Sequence, residues 1–251
     1  MSIQRTDKAV VLEICVDDAA GLQAAIDGGA DRIELCAALS VGGLTPSSGF
    51  MELAGRAAIP VNALIRPRAG GFHYSAAEID IIKRDIDVAR QAGLAGVVIG
   101  ASLADGQLDE ETLTALVTAA DGLDLTLHRA FDLVPDPLAA LEMAVRLGFG
   151  RILTSGGGKS ALAGLSTLAA LAGAADGRIP IMPGGGVRPE TVEALLAVEG
   201  IFELHSSGGR PVNGVQPRLL ELGFVDAGSR QTDRDTVRAF RAEIARVTAA
   251  R

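Results

Sequence analysis

Tryptophan is absent, Tyr74 is the single tyrosine, and aromatics make up only 3% of the 251 residues. Single-stranded nucleic acids are held by stacking bases on aromatic rings, and duplexes by basic surfaces. This chain has few aromatics and a formal net charge of −8, which excludes nucleic acid as a partner. Cysteine is scarce as well. Cys15 and Cys36 are too few to build a disulfide framework, which implies a reducing, cytoplasmic setting. Long apolar runs are missing. The uncharged stretch 160–175 falls short of the ~20 residues of a membrane span and carries Ser, Thr and Gly at intervals. Residues 1–8 are polar with mixed charge and lack the apolar run of a secretory leader.

What is present is aliphatic. Hydrophobic residues reach 48%, and glycines number 31. Short β-branched runs bounded by Gly, Pro or Asp fall at 10–15, 32–36, 61–66, 95–100, 123–128, 151–155, 179–182 and 201–205. Between and after them lie segments of helical period at 17–28, 47–57, 75–92, 109–120, 135–147, 159–171, 188–197 and 236–248. Ser75 with Glu78 three residues on is a capping box, and Gly93 and Gly148 are stop signals. Eight strand–helix units in strict alternation, without a linker, predict one α/β domain over 1–251: a (β/α)₈ TIM barrel with a parallel eight-stranded core. The segment 206–232 after strand eight has little periodicity. Its Pro211, Val215, Leu219, Leu220 and Phe224 suit a contact between copies of the chain.

Alternation along strands predicts which side chains enter the barrel. Leu12 and Ile14 face the helices, so Glu13 and Cys15 face the lumen. Likewise Glu34 and Cys36, Thr126 and His128, and Glu203 and His205 point inward, with Arg66 at the end of the third strand. The three glutamates are expected at one depth, with His205, Cys15 and Cys36 one layer nearer the mouth. Arg66, Arg68 and Arg129 are available to neutralise the carboxylates, which are costly to bury unpaired.

Several of these runs resemble one known family. They are Leu12-Glu13-Ile14-Cys15, Arg32-Ile33-Glu34-Leu35-Cys36, Gly42-Gly43-Leu44-Thr45-Pro46-Ser47 and Ile65-Arg66-Pro67-Arg68 with Gly71-Phe72 and Tyr74. His128-Arg129-Ala130-Phe131-Asp132, Arg151-Ile152-Leu153-Thr154-Ser155-Gly156, Gly184-Gly185-Gly186-Val187 and Glu203-Leu204-His205-Ser206-Ser207 continue the series. In this order they resemble the CutC family, named for copper homeostasis. The resemblance implies a (β/α)₈ barrel, a cytoplasmic location, self-association with a homodimer favoured, and Cu(I) binding. Val16 follows Cys15, so the second adjacent cysteine of some members is absent.

Two chemistries follow. Cu(I) prefers thiolate, with imidazole as a partner, which nominates Cys15, Cys36 and His205 as ligands. A buried cysteine is equally a small hydrophobe. The alternative is an enzyme acting by general acid–base chemistry on a small phosphorylated or carboxylated metabolite, with Glu13, Glu34, Arg66, His128, Glu203 and His205 as its catalytic set. Ser155 and Gly156, Gly184, Gly185 and Gly186, and Ser207 and Gly208 would then hold its phosphate through backbone N–H groups. Gly158-Lys159-Ser160 is not a P-loop, since Leu153 stands where a glycine is required. No lysine lies at a strand end to form a Schiff base.

Overall fold

The computed structural model describes residues 9–226 and 228–250; the polar segment 1–8 lies outside them. Eight parallel strands form the ring: β1 Val11–Val16, β2 Arg32–Leu35, β3 Val61–Leu64, β4 Gly96–Ile99, β5 Asp124–Leu127, β6 Arg151–Thr154, β7 Ile181–Pro183 and β8 Glu203–Ser206. Hydrogen bonding runs in the order β7-β6-β5-β4-β3-β2-β1-β8. β7 and β8 stand side by side at the seam, where the Ser206 hydroxyl donates to the Val187 carbonyl at 2.9 Å. The outer helices are α1 Ala19–Gly28, α2 Ser48–Ala54, α3 Ala76–Gln91, α4 Glu110–Ala119, α5 Pro137–Leu147, α6 Leu165–Ala175 and α7 Val192–Leu196. After β8 the chain forms β9 Gly209–Pro211, α8 Pro217–Glu221 and β10 Arg230–Thr232, then the long α9 Arg234–Ala249. The fold is thus the expected (β/α)₈ barrel.

Local chemistry explains most boundaries. Ser75 and Glu78 form the reciprocal capping box at the start of α3. Asp18, Asp109, Asp136 and Asp233 cap α1, α4, α5 and α9 by accepting backbone N–H bonds. α6 departs from the sequence pattern. It begins at Leu165, not 159, because Gly156 to Gly164 fold as a turn that brings Gly164 under the Ser155 carbonyl. It runs on to Ala175 because its end carries no break before Asp176 turns left-handed at φ 46°. Lys159 therefore lies in a turn, while Lys83 is on α3.

Two cores result. Leu12, Ile14, Ile33, Leu35, Ile99, Leu127, Ile152 and Leu204 face outward into one continuous aliphatic layer with the helices. Inside the ring, Cys15, Cys36, Leu64 and Val98 make a small separate cluster. Apart from Leu153 and Met182 the rest of the lumen is polar, unlike the aliphatic filling usual for barrels.

Register sets the depth of each lumen residue. Glu13 pairs with Arg32 on β2 and with His205 on β8, Cys15 pairs with Glu34, and Glu203 pairs with Val11. The three glutamates therefore do not share a depth, as alternation alone suggested: Glu34 stands beside Cys15, one layer above Glu13. The tilt that closes a barrel staggers each strand against the next, which period-two reasoning does not resolve.

Candidate functional site

The floor of the lumen is an ion network. Arg32 donates from Nε to Glu13 and from Nη2 to Glu203 at 2.5 Å, and touches Met182 Sδ at 3.3 Å. Arg151 donates to Glu203 at 3.1 Å, to Asp124 at 2.6 Å and to Thr126 at 2.9 Å. Asn62 adds a 3.0 Å bond to Asp124. The countercharges are therefore Arg32 and Arg151, not the arginines named from the sequence. Arg66 binds the carbonyls of Val41, Gly43 and Gly70. Arg68 pairs with Glu78, and Arg129 with Asp132.

His205 links this floor to the layer above. Its Nδ1 lies 2.8 Å from Glu13 Oε1, and its Nε2 lies 3.7 Å from Glu34 Oε2. Burial alone would raise the Glu13 carboxyl, yet the Arg32 charge and the His205 contact hold it down at about 2. Burial opposes charge on His205, but the groups facing it, Cys15, Glu13 and Glu34, push its pKa well above the ordinary imidazole value. Three carboxylates, Glu13, Glu203 and Asp124, are thus balanced by Arg32, Arg151 and the His205 imidazolium. Glu34 has no cation of its own besides His205, and burial pushes its pKa up. Burial also raises both thiols, Cys36 further than Cys15 because Glu34 sits beside it with Oε2 3.5 Å from Sγ.

One ligand atom each from Cys15, Glu34 and His205 lie within 4.8 Å of one another. Cys36 is fully buried beside this group, and Cys15, Glu34 and His205 border a cavity of about 790 Å³ that opens at the strand C-termini. His128 and Arg66 line the same cavity higher up, with the Phe72 ring 4.7 Å from the imidazole and 5.2 Å from the guanidinium carbon. Burial and the Arg66 charge lower His128 to about 3, so its ring is neutral; Nδ1 accepts from Ala130 N–H, which leaves the proton on Nε2. Gly100 makes room for this ring, since a Cβ there would stand 2.4 Å from His128 Cε1.

The glycine loops differ from one another. After β6, Asp132 accepts from the N–H groups of Ser155 and Gly157, and Thr154 Oγ1 accepts from Gly156. Gly184 N–H bonds the Thr154 carbonyl, and Gly208 N–H bonds Ser206 Oγ. The N–H groups of Gly185, Gly186 and Ser207 have no partner among the described residues, and all three residues line the cavity.

A family model described as the CutC family matches residues 10–210. The chain belongs to the CutC family. A family protein CutC from Agrobacterium fabrum is 57% identical over 233 residues, 92% of this chain and 93% of that protein. The human copper homeostasis protein cutC homolog is 46% identical over 198 residues, 78% of this chain and 72% of that one. A crystal structure of a copper homeostasis protein CutC from Streptococcus agalactiae matches with a TM-score of 0.76 at 32% identity, covering 79% of this chain and 98% of that one. Relatives of this chain are thus named for copper homeostasis.

In this CutC family member the structure gathers Glu13 and Glu203 into the floor, sets His205 and Glu34 in the layer above it, and places Arg66 and His128 on the cavity wall. Of the residues nominated as metal ligands it joins Cys15 to His205, with Glu34 the third member and Cys36 alongside. Sequence reasoning missed Arg32, Arg151 and Asp124 as lumen residues. The signal was available: Arg32 is two positions before Glu34, Asp124 two before Thr126, and Arg151 opens a strand.

Proposed function

We propose that this CutC family member holds Cu(I) as cargo at the barrel mouth, in the cytoplasm. The observation that carries the reading is the convergence of Cys15, Glu34 and His205 within 4.8 Å, with a second thiol, Cys36, beside them. Cu(I) is soft, so Cys15 thiolate and His205 Nε2 are its natural pair, with Cys36 the next sulfur; the harder carboxylate of Glu34 serves better as a proton store. Glu13 accepts from Nδ1–H and so leaves Nε2 to face the ion, the arrangement metal-binding histidines commonly use. Both cysteines are free thiols, which suits a reducing compartment. No helix among the described residues is long and apolar enough to cross a membrane.

The test is competition for Cu(I) between reduced protein and a chromophoric chelator. Wild type is expected to take one ion, Cys15→Ser and His205→Gln to lose most of the affinity, and Cys36→Ser to lose less. A Cys15→Ser/Cys36→Ser variant that binds as tightly as wild type overturns the proposal. So does a wild type that prefers Zn²⁺, which would suit a Cys/His/Glu tetrahedron.

A further inference from the structure

We infer that the upper cavity is an oxyanion site for the phosphoryl group of a small phosphorylated metabolite, above the Cys15 and His205 copper site in the same cavity. Two loops at adjacent strand ends supply the cradle. Gly185 and Gly186 follow β7 with left-handed φ of 90° and 71°, and their N–H groups, with that of Ser207 after β8, are unpartnered among the described residues. Backbone N–H groups left free on a cavity wall are suited to an anion.

The neighbouring loop shows what this chain does when such a cradle is meant to stay closed. After β6 the carboxylate of Asp132 fills it, accepting from Ser155 and Gly157 N–H at 2.9 and 3.1 Å. Among the described residues no carboxylate accepts from the N–H groups of Gly185, Gly186 or Ser207. A guanidinium stands there instead. Arg129 is tied by Nε to Asp132 at 2.7 Å and by Nη2 to Ser155 Oγ at 3.0 Å, and its Nη1 has no partner among the described residues. A Cβ on Gly185 would lie 3.3 Å from the Arg129 guanidinium carbon, so glycine is what lets backbone and cation converge.

The cavity wall gives a second, independent sign. Arg66 and His128 are only 6% and 4% exposed, yet Arg66 Nε and His128 Nε2 have no hydrogen-bond partner. No carboxylate pairs with Arg66 among the described residues; its bonds go to carbonyls. A buried cation without a counter-ion and a buried neutral donor are both costly unless something accepts from them. An acceptor-rich molecule in this cavity meets that need. With its phosphoryl group in the cradle, the remainder lies in the space that continues down to Glu34 and His205, the acid–base pair an enzymatic role would use.

The test uses metal-free, reduced protein and inorganic phosphate, followed by calorimetry and by amide NMR. Saturable binding is expected, with the Gly185, Gly186 and Ser207 amide signals moving together. Arg129→Gln is expected to weaken binding about tenfold, the loss of one charge-assisted contact. Ser207→Pro deletes one donor and should weaken it further; if that variant misfolds, the amide shifts in wild type still decide. Acetate serves as the second arm, and equal binding of acetate would overturn the phosphoryl assignment. Absence of saturable phosphate binding, or unchanged binding by Arg129→Gln, overturns the site. The Cys15→Ser/Cys36→Ser variant should bind phosphate as wild type does, so failure of the copper reading leaves this outcome untouched.

Discussion

Glu13 does two jobs with one carboxylate: it pairs with the Arg32 charge and accepts a hydrogen bond from His205 Nδ1–H. Because its folded pKa is held at about 2 against an ordinary 4.5, it stabilises the fold above the unfolded value, and this contribution is lost as pH falls through about 2. The shift corresponds to about 3 kcal/mol for this buried group. Glu13→Gln should therefore lower stability at neutral pH by roughly that amount and flatten the acid limb, read by urea unfolding across pH. The same change removes one of the groups that raise the His205 pKa, leaving Cys15 and Glu34. The imidazole titration followed by NMR should move down, and Cu(I) affinity should fall about tenfold through the lost orienting contact. An unshifted His205 titration would show that Glu13 is not the controlling partner. At this scale the sequence carried the identity of Glu13, Cys15, Glu34 and His205, because alternation is local. It did not carry their partners, because a pairing such as Arg151 with Glu203 depends on tilt and stagger.

Helix starts were the most legible elements, since a cap needs only residues three apart. Ser75, Glu78 and Arg68 illustrate how far that reaches into the site. Glu78 accepts from Ser75 N–H at 2.7 Å and pairs with Arg68, whose guanidinium holds the carbonyls of Gly71 and His73. Phe72, lying over Arg66 and His128, sits in the loop so fixed. Ser75→Ala should cost about 1 kcal/mol in chemical denaturation, the usual loss for an N-cap. It should also speed hydrogen exchange in the 67–75 loop, while the exchange of β1 stays as it was. α6 was less legible, because an uncharged, alanine-rich helix gives no mark of where it stops and its start depends on Gly164 packing beneath Ser155. Gly100→Ala is the corresponding test just past the end of β4. The added methyl cannot share space with the His128 ring, so the imidazole must move, and its NMR signals should report it.

Ring closure was legible from the count of eight strand–helix units, but the segment after β8 was not. β9 and β10 are three residues each, too short for any period to show. Their antiparallel pairing of Gly209 with Thr232 is secured by contacts far apart in sequence, such as the Thr232 hydroxyl on the Ser207 carbonyl at 3.0 Å. Between them α8 has five residues and none is buried, while Leu219, Leu220, Leu222 and Phe224 are 37%, 38%, 50% and 73% exposed. A helix that short has no stability of its own in water, and apolar side chains grouped around it gain by being covered. A second copy of the chain supplies an identical apolar face, and a two-fold dimer lets each copy cover the other. Light scattering on the wild type should give twice the chain mass, and Phe224→Asp should shift it to the monomer with the barrel's thermal unfolding retained. The Cu(I) titration should not change in that variant, because Cys15, Glu34 and His205 all come from one ring. A monomeric wild type, or a Phe224→Asp protein that stays dimeric, would remove this segment as the interface.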